Sequence, residues 1–231
     1  MLLKIQQRVT IKYGRMSKLN KRFLLVTLCL MMGIMVWGCS KNEKKGNKVA
    51  EDDTSILTTK NIDNLQKGKH HVEINIVKYG TIKVELDADA APISVTNFMN
   101  LANDNFYDGL TFHRIIPGFV IQGGDPKGNG TGGAKRCIKG EFKNNGVNNK
   151  LSHKRGAIAM ARSTENDSAS SQFYIMHKTD TRLDGDYAVF GYVTEGMEVV
   201  DAICKKVKTE DSNGTVFSKN QPVIKYIKVI D

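Results

Sequence analysis

The most informative segment of the chain reads FHRIIPGFVIQGGDP and occupies residues 112–126. Most of its side chains are apolar, as expected of a strand with at least one buried face. Among its polar side chains, Arg114 and Gln122 interrupt the apolar run. A polar side chain in an apolar wall either satisfies a buried partner or faces a ligand. Both interpretations are open at this point, and the buried partner is the more common one.

Two alternating stretches precede this segment, at residues 72–76 and 82–86. In each of them apolar and polar side chains alternate, which is the pattern of a strand with one buried face. Tyr79 and Gly80 lie between the two stretches and supply the turn. The pattern therefore predicts an antiparallel β-hairpin.

Two helices are predicted from apolar residues at helical spacing. Pro92 opens the first, whose apolar stripe contains Val95, Phe98, Met99 and Ala102. The second extends over residues 197–207, with one face made of Met197, Val200, Ile203, Cys204 and Val207. The remainder consists of short strands and Gly-rich turns and ends in a strand at residues 223–229. We therefore predict a mostly β domain with two helices, closed into a barrel because closure removes exposed strand edges.

The full chain of 231 residues carries a formal net charge of +10, which on its own suggests an anionic partner such as nucleic acid. Seven of the basic residues lie within residues 1–38, a segment without any acidic residue. Residues 71–231 contain 20 basic and 19 acidic residues and are close to neutral. The distribution of charge thus argues against nucleic-acid binding.

Residues 1–38 have the order of an export signal, with a basic start, an apolar run and small residues. The apolar run covers residues 23–38 and is shorter than the ~20 residues that span a bilayer. It leads into Val-Trp-Gly-Cys at residues 36–39, which resembles a bacterial lipobox. We expect cleavage before Cys39, acylation of this cysteine, and an extracytoplasmic lipoprotein anchored to the membrane. An uncleaved anchor or an ordinary signal is the alternative, and Met16 is a second candidate start.

Residues 39–70 are polar and mixed in charge, with few aliphatic side chains, and we expect a flexible tether there. The folded domain is predicted to cover residues 71–231. Cys137 and Cys204 are the two cysteines of this domain. Their spacing does not support a disulfide, although an extracytoplasmic setting permits one, and we expect two reduced thiols.

The segment at residues 112–126 is similar, nearly residue for residue, to the signature of the cyclophilin family of peptidyl-prolyl cis-trans isomerases. Further motifs follow in the family's order, namely NGTGG at 129–133, AMA at 159–161, SQFYI at 171–175, LDG at 183–185 and VFG at 189–191. The resemblance extends over residues 72–231. It implies an eight-stranded antiparallel barrel closed by two helices, and an enzyme that acts on X–Pro bonds of proline-containing polypeptides without a metal or other cofactor.

The resemblance also implies roles for individual residues. Arg114 is implied to be the catalytic arginine, and Gln122 is implied to orient it and the substrate backbone. The implied walls of the proline pocket are Phe119, Val120, Tyr174, Leu183 and Tyr187. The implied groove for the residues before proline contains Gly130, Ala161, Arg162 and Gln172.

Other interpretations have less support in the sequence. Residues 128–133 match the G-x-G-x-x-G fingerprint of dinucleotide binding, but no helical pattern follows them. The histidines show no spacing with cysteine or carboxylate ligands, so no metal site is predicted. Two functions are left. One is a monomeric isomerase that assists the folding of exported proteins, and the other is a chaperone or scaffold module that binds proline-containing peptides with incidental turnover.

Overall fold

A computed structural model describes residues 55–231 of the chain. The predicted signal at residues 1–38 and the predicted lipidation site, Cys39, lie outside the described residues. Within the described part of the chain, no helix combines the length and the apolar character needed to cross a membrane.

Eight strands and two α-helices form the regular structure of residues 55–231. The strands are β1 (Lys69–Ile76), β2 (Gly80–Asp87), β3 (Thr111–Ile116), β4 (Val120–Asp125), β5 (Ala157–Met160), β6 (Phe173–Met176), β7 (Val189–Glu195) and β8 (Ile224–Val229). The helices are α1 (Pro92–Asn103) and α2 (Met197–Lys206). The strands make one antiparallel sheet in the order β3-β4-β6-β5-β7-β2-β1-β8. The prediction of a mostly β domain with eight antiparallel strands and two helices is confirmed.

The sheet curls into a half-barrel and does not close, so the prediction of a closed barrel is wrong. Its end strands, β3 and β8, are connected by an isolated bridge between Thr111 and Val223 and not by a ladder. Pro222 has no N–H group that could extend the pairing on that side. Farther along β3, the backbone N–H of Ile115 donates to the carbonyl oxygen of Gly214 at 2.8 Å. The loop around Gly214 thus covers the edge that closure would require.

The predicted hairpin and helices are confirmed. Strands β1 and β2 pair antiparallel, with Ile74 opposite Ile82. The predicted apolar stripe of α1 is buried, and so are Val200, Ile203 and Cys204 of α2. Both helices contribute to the apolar cluster on one face of the sheet.

Two apolar clusters lie on opposite faces of the sheet. One contains Ile158 and Ile175 together with side chains of both helices. The other contains Ala159 and Tyr174, the chain neighbours of those two residues in β5 and β6. Neighbouring side chains of a strand point to opposite faces, so β5 and β6 are buried on both faces. The cluster with Ala159 and Tyr174 underlies the candidate site.

Residues before the predicted domain start at residue 71 contact the folded domain. The backbone N–H of Leu57 donates to the carbonyl oxygen of Cys137 at 2.8 Å, and the N–H of Lys139 donates back to Leu57 at 2.9 Å. Leu57 and Ile62 also pack against the main apolar cluster. The described part of the predicted tether, residues 55–70, thus contacts the domain through two aliphatic side chains and a backbone edge, while residues 39–54 lie outside the described residues.

Candidate functional site

The first feature of the site is a bulge at His113 in β3. Phe112 pairs with Gly123 of β4 and Arg114 pairs with Gln122, which leaves His113 as an extra residue between the two pairs. In a regular strand, Phe112 and Arg114 would point to the same face. The bulge changes the alternation, so Phe112 lies in the main core while Arg114 lines a cavity on the other face.

Side chains from four strands form a row on this second face. Arg114 of β3 pairs with Gln122 of β4, Gln122 pairs with Tyr174 of β6, and Tyr174 pairs with Ala159 of β5. Paired residues of an antiparallel sheet project on the same side. The register therefore aligns a guanidinium, an amide and an aromatic ring within one continuous surface.

A chain of hydrogen bonds connects the polar side chains of this surface. Nη1 of Arg114 donates to Oε1 of Gln122 at 3.1 Å, and Nε2 of Gln122 donates to Oε1 of Gln172 at 2.9 Å. Nε2 of Gln172 then donates to the carbonyl oxygen of Gly132 at 2.7 Å. On its other side, Nε of Arg114 donates to the carbonyl oxygen of Asn213 at 2.8 Å. Two protein acceptors thus hold the guanidinium and leave its remaining N–H groups for a ligand.

The glycine-rich loop next to Gln172 is folded around a carboxylate. Asp125 accepts hydrogen bonds from the backbone N–H groups of Lys127, Asn129 and Gly130, at 2.8, 3.1 and 2.6 Å. Burial alone would raise the pKa of Asp125, but these N–H groups outweigh burial and the pKa is lowered. No α-helix begins at the end of the loop, and the next elements are a three-residue 3-10 helix at Lys143–Asn145 and β5, so the loop lacks the strand–loop–helix geometry of a dinucleotide site.

Two adjoining cavities contain all eleven predicted catalytic and substrate-binding residues. The apolar cavity, of about 200 Å³, is lined by Arg114, Phe119, Val120, Gln122, Ala161, Arg162, Tyr174, Leu183 and Tyr187. The polar cavity, of about 250 Å³, is lined by Gln122, Gly130, Thr131, Gly132, Ala161, Arg162, Ser163, Ser168, Ser170 and Gln172. The two cavities share Gln122, Ala161 and Arg162 as a common wall.

A larger cavity of about 440 Å³ lies elsewhere, between α1, residues 57–64 and residues 134–136, and none of the predicted residues lines it. Its walls are mostly asparagine and aspartate side chains together with Lys135 and Arg136. We therefore assign the functional site to the two smaller cavities, where the hydrogen-bonded polar side chains lie next to the aromatic walls.

Arg162 separates the two cavities with a fixed guanidinium. Its guanidinium carbon lies 4.8 Å from the ring centre of Tyr187 and 5.0 Å from that of Phe142. Its Nε donates to the carbonyl oxygen of Asp186 at 2.9 Å. These contacts hold a positive charge at the wall that the two cavities share.

The structure shows a buried network beneath the apolar cavity that sequence reasoning missed. His153 is fully buried, with Nε2 at 2.9 Å from the hydroxyl of Tyr174 and Nδ1 at 2.7 Å from Oδ1 of Asp184. Burial lowers the pKa of His153 despite the opposing effect of Asp184, which favours the neutral imidazole; a proton on Nδ1 facing Asp184 leaves Nε2 to accept from Tyr174. The one available signal was the hydroxyl of Tyr174 in a buried strand, since a buried tyrosine hydroxyl usually has a partner.

The thiols and acidic groups of the described residues add no further chemistry to the site. Cys137 and Cys204 are free, and burial raises the pKa of the Cys204 thiol to about 11. Within residues 55–231, no group of three or more His, Cys, Asp or Glu side chains is arranged to hold a metal ion.

An arginine and two glutamines beside a cavity with aromatic walls define a site for a peptide segment, because the polar groups suit a peptide backbone and the cavity suits one apolar ring. Residues 71–229 match the family model of the cyclophilin type peptidyl-prolyl cis-trans isomerases. The chain therefore belongs to the cyclophilin family and is a peptidyl-prolyl cis-trans isomerase.

Bacterial relatives support the same assignment. Peptidyl-prolyl cis-trans isomerase B of Bacillus subtilis is 50% identical over 117 residues, which are 51% of this chain and 78% of that protein. Peptidyl-prolyl cis-trans isomerase A of Dickeya dadantii is 41% identical over 150 residues, which are 63% of this chain and 76% of that protein. Among solved structures, a cyclophilin type isomerase of Cryptosporidium parvum matches with a TM-score of 0.62 and 29% identity, covering 71% of this chain and 98% of that one.

Proposed function

We propose that the apolar cavity holds the proline ring of an X–Pro substrate and that Arg114 is the catalytic residue. The observation that carries the proposal is the guanidinium of Arg114, which lines this cavity and is held by Gln122 and Asn213. Phe119, Val120, Tyr174, Leu183 and Tyr187 would pack against the ring. Family membership is shown by the comparisons, and the roles of these individual residues are what we propose in addition.

The chemistry of the reaction explains why a guanidinium suffices. An X–Pro bond rotates over a barrier of ~18–20 kcal/mol because amide resonance must be lost. In the twisted state the prolyl nitrogen regains its lone pair and becomes a hydrogen-bond acceptor. A permanently charged donor aimed at that nitrogen stabilises the twisted state more than either planar state. A millionfold acceleration requires about 8 kcal/mol, which a charged hydrogen bond, desolvation and orientation can supply together.

The polar cavity would hold the backbone that precedes proline. Gln122 and Gln172 place amide groups along it, Gly130 forms part of its rim, and Ala161 and Arg162 form the wall shared with the apolar cavity. The hydrogen bond from Gln122 to Gln172 sets the direction of both amides before a substrate arrives. Such preorganisation reduces the ordering that binding requires.

A related structure supports the binding of a proline-containing peptide. The Cryptosporidium parvum isomerase was also solved in the presence of the dipeptide Ala-Pro, and that structure is 30% identical with a TM-score of 0.62 over 70% of this chain. We propose that an X–Pro unit of this kind occupies the two adjoining cavities of this chain, with its proline ring in the apolar one.

The experiment that tests the activity is exchange NMR on a proline tetrapeptide with the full-length chain. The expected result is faster cis–trans exchange at catalytic amounts of protein. Shifted peptide signals without faster exchange would instead support the binding module, in which turnover is incidental. A proline-free peptide of the same length serves as the control for unspecific binding.

We also propose that the protein is a lipoprotein that acts on exported proteins at the membrane surface. The basic start, the apolar run at residues 23–38 and the lipobox-like residues before Cys39 support this proposal. Palmitate labelling in a bacterial host tests it, with wild type expected to be labelled and Cys39→Ser unlabelled and released from the membrane fraction. Cys137→Ser is the matched control and should keep its label. Equal labelling of the Cys39→Ser chain would overturn the proposal.

A further inference from the structure

We propose that His177 is a positioning residue, which holds Phe119 in place as a wall of the apolar cavity. This inference rests on the proposed role of that cavity as the proline pocket. His177 itself lines neither of the two cavities, and it follows directly on β6. It would therefore act on the substrate only through the backbone of the turn that carries Phe119.

Phe119 belongs to an exposed turn between β3 and β4. Its backbone N–H donates to the carbonyl oxygen of Ile116 at 2.9 Å, which closes a four-residue turn. Pro117 and Gly118 occupy the central positions, and Gly118 has φ +81°. This is the geometry of a type II turn, in which the third residue favours glycine. The N–H of Gly118 has no acceptor inside such a turn and needs one outside it.

His177 supplies that acceptor and a second contact. The N–H of Gly118 donates to Nδ1 of His177 at 2.8 Å. The backbone N–H of His177 donates to the carbonyl oxygen of Phe119, also at 2.8 Å. One residue thus holds the backbone on both sides of the Phe119 side chain, so the direction of its ring depends on where His177 lies.

The imidazole of His177 is itself held by charged groups. Nε2 lies 3.2 Å from Oδ1 of Asp201 on α2, and the side chain is 22% exposed. Nη1 of Arg155 donates to the carbonyl oxygen of His177 at 2.6 Å, and Nη2 of Arg155 donates to Asp201 at 2.8 Å. An Nε2–H that donates to Asp201 leaves Nδ1 as the acceptor that Gly118 requires. Helix α2 is thereby connected to the wall of the substrate cavity.

The role predicts a particular kinetic signature. The proline ring is packed against Phe119 both before and during rotation of the bond, so a displaced ring weakens the ground state and the transition state alike. Loss of such uniform binding raises KM and leaves kcat nearly unchanged. For His177→Ala we expect about a tenfold higher KM and a kcat within about twofold of wild type.

Direct evidence can be obtained from the wild-type chain. An N–H···N hydrogen bond carries a scalar coupling between its two nitrogen nuclei. Nitrogen NMR of the isotope-labelled full-length chain should therefore show a coupling between the Gly118 amide and Nδ1 of His177, with the proton of the ring on Nε2. A ring that carries its proton on Nδ1 and shows no coupling would overturn the inference.

The variants separate positioning from general structure. His177→Asn retains an acceptor oxygen close to the Nδ1 position and should recover most of the KM lost in His177→Ala. His71→Ala is the matched control, because His71 also contacts an aspartate, Asp231 at 3.2 Å, but lies on β1 and not beside the turn that carries Phe119. If a thermal melt shows that His177→Ala does not fold, the kinetics of His177→Asn and the nitrogen coupling in the wild-type chain test the positioning role instead.

Phe119→Ala distinguishes the two levels of the proposal. If Phe119→Ala raises KM while His177→Ala leaves it within about twofold of wild type, the positioning role is overturned and the cavity assignment stands. If Phe119→Ala itself leaves KM unchanged, the proline cavity is overturned, and the role of His177 with it. A rise in KM for both, with recovery in His177→Asn, supports both.

Discussion

Arg114 and Gln122 face each other across the ladder of β3 and β4, and the guanidinium donates to the amide oxygen at 3.1 Å. The pairing depends on the bulge at His113, which turns Arg114 away from the core that contains Phe112. A residue inserted into one strand therefore places a charged side chain beside an apolar cavity without burying it in the main core.

Replacement of Arg114 tests the proposed catalysis. Arg114→Ala should lower kcat/KM for a proline tetrapeptide by about 100-fold or more, since the donor to the twisted amide is lost. Arg114→Lys keeps the charge but not the planar guanidinium, and its kcat/KM should lie between those of wild type and Arg114→Ala. A thermal melt of each variant should stay close to that of wild type. Activity of Arg114→Ala within about threefold of wild type would contradict the assignment.

The hydrogen bond between Gln122 and Gln172 should make the effects of their substitutions on kcat/KM non-additive. Gln172→Ala removes the support that connects Gln122 to the glycine-rich loop, and we expect about a tenfold lower kcat/KM. The double variant Gln122→Ala/Gln172→Ala should lose less than the product of the two single effects, because the two amides act as a unit. Fully multiplicative losses in the double-mutant cycle would show that the two residues act independently.

The hydroxyl of Tyr174 should matter for stability more than for turnover. Tyr174→Phe keeps the ring that lines the cavity but leaves Nε2 of buried His153 without its donor. A buried acceptor without a partner costs about 1–3 kcal/mol, so urea denaturation should show a loss of that size. The value of kcat/KM should stay within about threefold. Tyr226→Phe on β8 is the control, and equal stability of both variants would count against the network.

Stability should fall in mild acid, and His113 should be one cause. Burial lowers the pKa of His113 below its usual 6.5, and in the described structure both ring nitrogens lack a hydrogen-bond partner. Between the folded and unfolded pKa values, the unfolded chain binds more protons, so the free energy of unfolding decreases as pH falls below about 6.5. His153 has a lowered pKa as well and adds to the same slope.

His113→Leu isolates the contribution of this residue. The variant removes one of the two titrations and should show a smaller loss of stability between pH 7 and pH 5, measured by urea denaturation at several pH values. Isomerase activity should be retained, because the His113 side chain lines neither cavity. An unchanged pH slope would show that His113 has the same pKa in the folded and unfolded chains.

Patterns over a few neighbouring residues were enough to predict much of the secondary structure. The hairpin of β1 and β2 and the stripes of α1 and α2 follow from periodicities of two and 3.6 residues, which local geometry imposes. The eleven catalytic and substrate-binding residues were predicted from the resemblance of residues 112–126 and the motifs that follow them, and the structure brings all eleven to the two cavities. Their individual roles are still predictions.

The closed barrel was the point where reasoning from patterns was wrong. The loop around Gly214 covers the edge of β3 that closure would require, and this loop carries no strand pattern of its own. Residues 55–68 are polar enough to suggest a tether, yet Leu57 finds a backbone edge at Cys137 and Lys139. Such contacts join segments that are far apart in the chain. They depend on the tertiary fold and leave no periodic pattern in the sequence.

By itself, the sequence determined the family, the strand and helix patterns, and the identity of the polar residues in an otherwise apolar segment. Only the tertiary structure decided which side chains support them. His153 lies 21 residues before Tyr174, and Gly118 lies 59 residues before His177, and both contacts form across the fold. Contacts between residues so far apart follow from how the sheet curls and how its loops pack, because burial and hydrogen-bond geometry act through space and not along the chain.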